Sequence, residues 1–186
     1  YCDRVRIMAY DQQGVDQKLV ATAASSSQLY APVADPAWVT KVVNLAAKTI
    51  KKSKIEIGVP TYGYEYEVTA YANNDYAYDI LWTFNPRYAT DLATSYGVIP
   101  VRNASDEMSF TYVSTSTATS TVPTGATVPS AALAAAAAAS SIATAGNTHT
   151  TFRLVEWPDA QSIANKLALS KKLGVRGISI FKLDGG

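Results

Sequence analysis

The segment Arg6-Ile7-Met8-Ala9-Tyr10-Asp11 runs from a short β-favouring stretch into a phenol and a carboxylate. A buried strand reads this way when it delivers polar groups to a pocket at its carboxyl end. Two further segments repeat the pattern. Ile55 to Val59 leads into Tyr62, Tyr64 and Tyr66, and Arg176 to Phe181 leads into Asp184. Phenols, aromatic planes and a few carboxylates suit a carbohydrate. Sugar rings lay apolar C–H faces on aromatic planes, and their hydroxyls need directed hydrogen bonds. Tyrosines at strand ends can equally fill a core and turn their hydroxyls to water, so position alone leaves both readings open.

The elements that must hold these residues alternate. A strand is expected over Arg4 to Asp11, then a loop over Gln12 to Ala34. Asp35-Pro36 reads as an N-cap followed by proline at the first helical position. Val39, Val42, Val43, Leu45, Ala46, Ala47 and Ile50 follow at helical spacing, and Lys48, Lys51, Lys52 and Lys54 gather where cations suit the helix dipole. A second strand, Ile55 to Val59, comes next. Much later Asp159 caps a helix through Ser162, Ile163, Leu167, Leu169 and Leu173, Gly174 stops it, and Arg176 to Phe181 is a third strand. Strand, helix, strand, insertion, helix, strand argues for an α/β fold with a parallel sheet wrapped by helices.

The insertion, from about Thr61 to Val155, opens with Tyr62, Tyr64, Tyr66, Tyr71, Tyr76, Tyr78, Trp82 and Phe84. A helix is expected over Pro86 to Tyr96, stopped by Gly97. Met108 to Val113 and Thr150 to Val155 alternate apolar and polar residues and could pair as antiparallel strands. Between them, residues 114–147 are a low-complexity tract of Ser, Thr, Ala and Pro, with an alanine-rich helix possible over Ser130 to Ala145.

Composition narrows the function classes. The chain has 186 residues, 48% hydrophobic and 17% charged, which suits one domain or a large part of one. Sixteen basic and fifteen acidic residues give a net charge of +1, with no basic stripe for nucleic acid and no polybasic run for an anionic membrane. No segment is apolar enough over the length needed to span a bilayer. The single cysteine, Cys2, excludes an internal disulfide and is expected to be a small buried apolar residue. His149 is the only histidine and is read as a loop residue; no metal or other cofactor is expected. Trp38 is expected to pack in the core, and Asn103-Ala104-Ser105 matches an N-glycosylation acceptor.

Met8-Ala9-Tyr10-Asp11 resembles the M-x-Y-D element of the sixth barrel strand in family 18 glycoside hydrolases, a family that includes chitinases and bacterial cell-wall or spore-cortex hydrolases. Lys54 to Tyr66 looks like the seventh strand and the loop after it. Glu156-Trp157-Pro158-Asp159, Ser162, Lys166 and Gly174 to Phe181 resemble the last helix and the eighth strand. Three elements in this order and at these spacings make the resemblance specific.

The resemblance implies the carboxyl-terminal part of a (β/α)8 TIM barrel, strands six to eight, with an α+β insertion domain. Residues 1–60 and 156–186 would form the barrel part, and residues 61–155 the insertion. In such a barrel, functional groups stand at the carboxyl ends of strands. It also implies retaining cleavage of β-1,4 links in an N-acetylglucosamine-containing glycan, with the substrate's acetamido oxygen as nucleophile. Tyr10 would hold that acetamido group and Asp11 would bind the sugar before the scissile bond; both are taken as catalytic. Met8, Tyr62, Tyr64, Trp82 and Phe181 would bind substrate, with Phe181 standing where the family commonly has tryptophan. The family's D-x-x-D-x-D-x-E acid motif does not occur in these residues and would precede Tyr1, so the expected partner is an amino-terminal half of the barrel. The same cleft without its acid would bind glycan and leave it uncut. A glycan substrate of this kind goes with a secreted or cell-envelope location.

Overall fold

The computed structural model describes residues 2–15, 29–71, 76–113 and 149–183. In chain order its elements are β1 (Val5–Ile7), α1 (Gln12–Val15), α2 (Pro36–Ala46), β2 (Ile55–Pro60), β3 (Gly63–Tyr71), β4 (Tyr76–Phe84), α3 (Pro86–Ser95), β5 (Val101–Arg102), β6 (Met108–Tyr112), β7 (His149–Trp157), α4 (Ala160–Leu173) and β8 (Gly177–Phe181). The alanine-rich helix expected within 130–145, the low-complexity tract and Asp184 lie outside the described residues.

β1, β2 and β8 form a parallel sheet in the order β1-β2-β8, with Ile7 opposite Ile57 and Ile178 beside it on the other side. β2 is buried at every position, as expected of a central parallel strand covered on both faces. The other five strands form an antiparallel sheet, β4-β3-β7-β6-β5. The expected pairing of β6 with β7 is present, with Phe110 opposite Val155.

Local chemistry explains the helix ends. The Asp35 carboxylate accepts from the backbone N–H of Ala37 and Trp38, and Trp38, Val39 and Val43 are buried. Asp159 and Ser162 cap α4 reciprocally, and Gly174 closes it at φ +69°. α3 ends before Gly97, at φ +64°.

Several expectations need correction. α2 stops at Ala46, so the lysines beyond it do not sit on its last turn. Lys52 instead donates to the Leu173 carbonyl, 2.9 Å away at the end of α4, and Lys54 donates to the Cys2 carbonyl at 2.7 Å. Cys2 is exposed, since it precedes β1 among charged neighbours, and its Sγ approaches the Arg4 carbonyl at 2.6 Å. β1 is shorter than the expected strand and leaves the sheet after Ile7. His149 opens β7, where it pairs with Tyr71, because the Thr-Thr-Phe run after it extends the strand.

The pattern left α1, β3, β4 and β5 unnamed, and α1 opens the stretch that was expected to be a loop from Gln12. Tyr64, Tyr66, Val68 and Ala70 alternate along β3, and Tyr66, Val68 and Ala70 pack with Tyr76, Phe152 and Leu154 on one face of the antiparallel sheet. The opposite face packs Phe84, Phe110, Val155 and Trp157 against Ala89 and Ala93 of α3. Gly63, where β2 gives way to β3, has no room for a side chain. A Cβ there would lie 2.4 Å from the Glu156 carbonyl oxygen and 2.6 Å from the Trp157 Cβ.

Candidate functional site

Ile7 is the last strand residue of β1, and Tyr10 and Asp11 follow it off the sheet's carboxyl end. Tyr10 is buried, its ring against β2 at Gly58. That contact requires glycine, because a Cβ at residue 58 would sit 2.8 Å from the Ile7 carbonyl oxygen and 2.9 Å from the Tyr10 ring. Phe181, the last residue of β8, stacks on Tyr10 with ring centroids 5.6 Å apart and planes 9° from parallel. Tyr62, just past β2, meets both rings edge-on, at 6.2 Å from each. Three parallel strands therefore converge on one aromatic cluster. Thr61 fastens it, since its N–H donates to the Phe181 carbonyl at 2.8 Å and its Oγ1 accepts from the Lys182 N–H at 3.0 Å.

Asp11 stands beside this cluster with φ +60°. The Tyr62 hydroxyl donates to its Oδ1, and so does the Tyr64 hydroxyl, at 2.6 Å. Burial pushes both phenols' pKa up, and the hydrogen bond to Asp11 adds to it, so each stays a donor across the ordinary pH range. Tyr10 is pushed the same way by burial and by the nearby Asp11 charge. The result is a carboxylate with one oxygen fixed by two phenols, next to a stacked aromatic pair. That arrangement can grip a polyhydroxylated ring through one oxygen, one phenol and one apolar face.

The structure brings together Tyr10, Asp11, Tyr62, Tyr64 and Phe181. Met8 is close in sequence but 74% exposed. Trp82 lies elsewhere. It pairs with Glu65 across β3 and β4, so it shares the sheet face of Glu65 and α3, opposite to Tyr64 and Tyr66. There its ring stands edge-on to Tyr88 at 6.4 Å, 46% exposed, in a shallow depression lined also by Phe84, Asn85, Arg87 and Asp91. Tyr66 is fully buried.

Sequence reasoning did not foresee that a second polar group is buried together. Glu107, Glu156 and Lys166 are all buried, although their positions are far apart in the chain. Asn103 donates to Glu156 at 2.8 Å, which commits the amide of the N-glycosylation match to an internal bond. Burial, then the nearby Glu107, pushes the Glu156 pKa up to about 8. No local pattern marks such residues. Only the E-W-P-D run and Lys166 on a capped helix hinted at them.

The family model described as Glycosyl hydrolases family 18 matches residues 1–186. The chain belongs to glycosyl hydrolase family 18. Several solved structures share its fold at low identity. A chitinase from Chromobacterium violaceum is 20% identical at a TM-score of 0.60, covering 98% of this chain and 41% of its own. The spore cortex-lytic enzyme SleL of Bacillus cereus is 21% identical at 0.61, covering 98% of this chain and 32% of its own. The Bacillus megaterium SleL is 21% identical at 0.57, covering 97% and 30%. This chain thus spans less than half the length of these solved proteins. Among curated proteins none matches it.

Proposed function

We propose that these residues are the carboxyl-terminal part of a family 18 (β/α)8 barrel, strands six to eight, and that they build one side of a glycosidase cleft. The substrate is a β-1,4-linked glycan containing N-acetylglucosamine, as in chitin or peptidoglycan. A secreted or cell-envelope location goes with that substrate. The observation that carries the reading is the convergence of Tyr10, Asp11, Tyr62 and Phe181 at the carboxyl ends of three adjacent parallel strands. Barrel enzymes keep their chemistry at that end.

In this reading the acetamido carbonyl oxygen attacks the anomeric carbon as the glycosidic C–O bond breaks. A glutamic acid on the barrel part preceding these residues protonates the leaving oxygen. Water then opens the oxazolinium intermediate from the same side as the departed sugar, and configuration is retained. Tyr10 donates its hydroxyl to the acetamido oxygen and holds it in line, while Asp11 binds the sugar and favours the positive charge that develops. Phe181 and Tyr62 supply the apolar wall, Tyr64 orients Asp11, and Met8 edges the floor. Trp82 meets a longer glycan chain away from the scissile bond.

The experiment compares N-acetylglucosamine oligomers with their de-N-acetylated counterparts as substrates for the full-length protein. Cleavage of the first and not the second is expected, because only the first carries the nucleophile. Equal cleavage of both removes substrate assistance from the account.

A further inference from the structure

Asp11 occupies the left-handed region, which a residue with a side chain enters only when its surroundings hold it there. Its carboxylate is held by Tyr62 and Tyr64. Its backbone is held from the other side, through Gln12. Gln12 is buried, and three of its groups bond the strap formed by residues 30–35. Its N–H donates to the Val33 carbonyl at 3.1 Å, its Oε1 accepts from the Asp35 N–H at 2.9 Å, and its Nε2 donates to the Tyr30 hydroxyl at 2.9 Å.

The strap is gripped in turn by the antiparallel sheet. Glu107, fully buried where β6 begins, accepts from the Val33 N–H on Oε2 and from the Ala34 N–H on Oε1, both at 2.8 Å. Ser105 donates to Asp35 Oδ2 at 3.3 Å. Lys166 of α4 reaches the Glu107 carboxylate, with its Nζ 4.0 Å from Glu107 Oε1 and neither side chain exposed. Burying such a pair costs desolvation free energy, and apolar residues of similar size often serve packing as well or better. What an apolar side chain cannot do is accept two backbone N–H groups at once.

We propose that Glu107 and Lys166 are positioning residues for Asp11, acting through the 30–35 strap and Gln12, a role that rests on the reading of Asp11 as a sugar-binding group. Neither touches substrate. Lys166 balances the charge that lets Glu107 clamp the strap, and the strap fixes the residue after Asp11. The sequence separations, 73 and 74 residues from Glu107 to the strap, make this a tertiary device that ties the rim of the parallel sheet to the insertion.

The test is a double-mutant cycle in the full-length protein, read as kcat/KM on a soluble N-acetylglucosamine oligomer. Glu107→Gln keeps one acceptor oxygen and loses the other. It is expected to lower kcat/KM about 10-fold, since small misplacement of a binding group is costly, and to cause no further loss when Asp11 is already Asn. The same fold-loss in both backgrounds overturns the proposal. Glu107→Gln with Lys166→Met removes both charges together, protects the fold, and should show the same dependence on Asp11. Amide exchange at Gln12 should quicken about 10-fold in Glu107→Gln while β2 amides hold, as expected for local opening; unchanged Gln12 exchange overturns the latch whatever the activity. If Asp11→Asn alone leaves turnover intact, the sugar-site reading fails, and the exchange measurement still decides the latch.

Discussion

The two sheets use their polar side chains in opposite ways. At the carboxyl end of β1-β2-β8, Asp11 stays partly accessible, and the phenols around it leave it as an acceptor beside a half-exposed Phe181. In and beside the antiparallel sheet, Glu65 and Glu107 are fully enclosed, and their carboxylates bond other parts of the chain. Glu65 accepts from the Tyr88 hydroxyl at 3.0 Å and the Tyr112 hydroxyl at 2.5 Å. Glu107 clamps the strap. The difference teaches that carboxylate count says little about function. What matters is whether a carboxylate keeps an oxygen for something outside the fold.

That contrast can be broken most forcefully at Asp11. In the full-length protein, Asp11→Ala should lower turnover of an N-acetylglucosamine oligomer by about 100-fold or more, the scale of a lost preorganised group. Steady-state kinetics on a soluble oligomer would show it, and a loss under threefold would put Asp11 in the same structural class as Glu65. Gly58→Ala comes next. Its new Cβ must push the Tyr10 ring or the Ile7 carbonyl, so a stability loss of about 1–3 kcal/mol is expected, by analogy with overpacked cores. A urea melt measures it, with a fall in activity alongside.

A smaller effect separates the buried acids by pH. The folded Glu156 pKa is raised from 4.5 to about 8. Its unfolded form therefore ionises first as pH rises, and the folded state binds the extra proton. The stability tied to this proton is fully present below about pH 4.5 and is lost as pH rises through about 8. Melting temperature should fall across that window, and Glu156→Gln should flatten the slope. A slope that survives the substitution assigns the effect to another group. The smallest effect belongs to Trp82. Trp82→Ala should change turnover of short oligomers less than about twofold and weaken binding to insoluble polymer by a few-fold, the scale of one exposed aromatic contact. A large loss on short oligomers would join its sheet face to the cleft.

How much of this was legible follows from where the information sits. The parallel unit was readable because its signals are local. Asp35-Pro36, the Asp159–Ser162 box and Gly174 mark helix ends within a few residues, and Tyr10-Asp11 follows directly on an apolar strand. β3 and β4 were hidden because tyrosines carry much of one face, Tyr64 and Tyr66 on β3 and Tyr76 and Tyr78 on β4, and a phenol reads equally as a core residue or a site residue. The sharing of Asp11 by Tyr62 and Tyr64 could be anticipated only as proximity at a strand end. The face of Trp82 depends on a register shift near Glu65 and Tyr66, which no residue pattern announces. The bonds of Glu107, Gln12 and Lys166 were not legible because they join distant segments, and each residue alone looks like an ordinary surface residue.

The proposed catalysis turns on the Tyr10 hydroxyl. Tyr10→Phe removes it and leaves the ring stacked on Phe181 and packed on Gly58. The direct measurement is kcat of the full-length protein with a soluble N-acetylglucosamine oligomer, wild type against Tyr10→Phe. The site described here predicts a fall of about 100-fold with folding unchanged. Unaltered kcat would mean that the phenol does not hold the acetamido group, and the cluster would then be only a packed strand end.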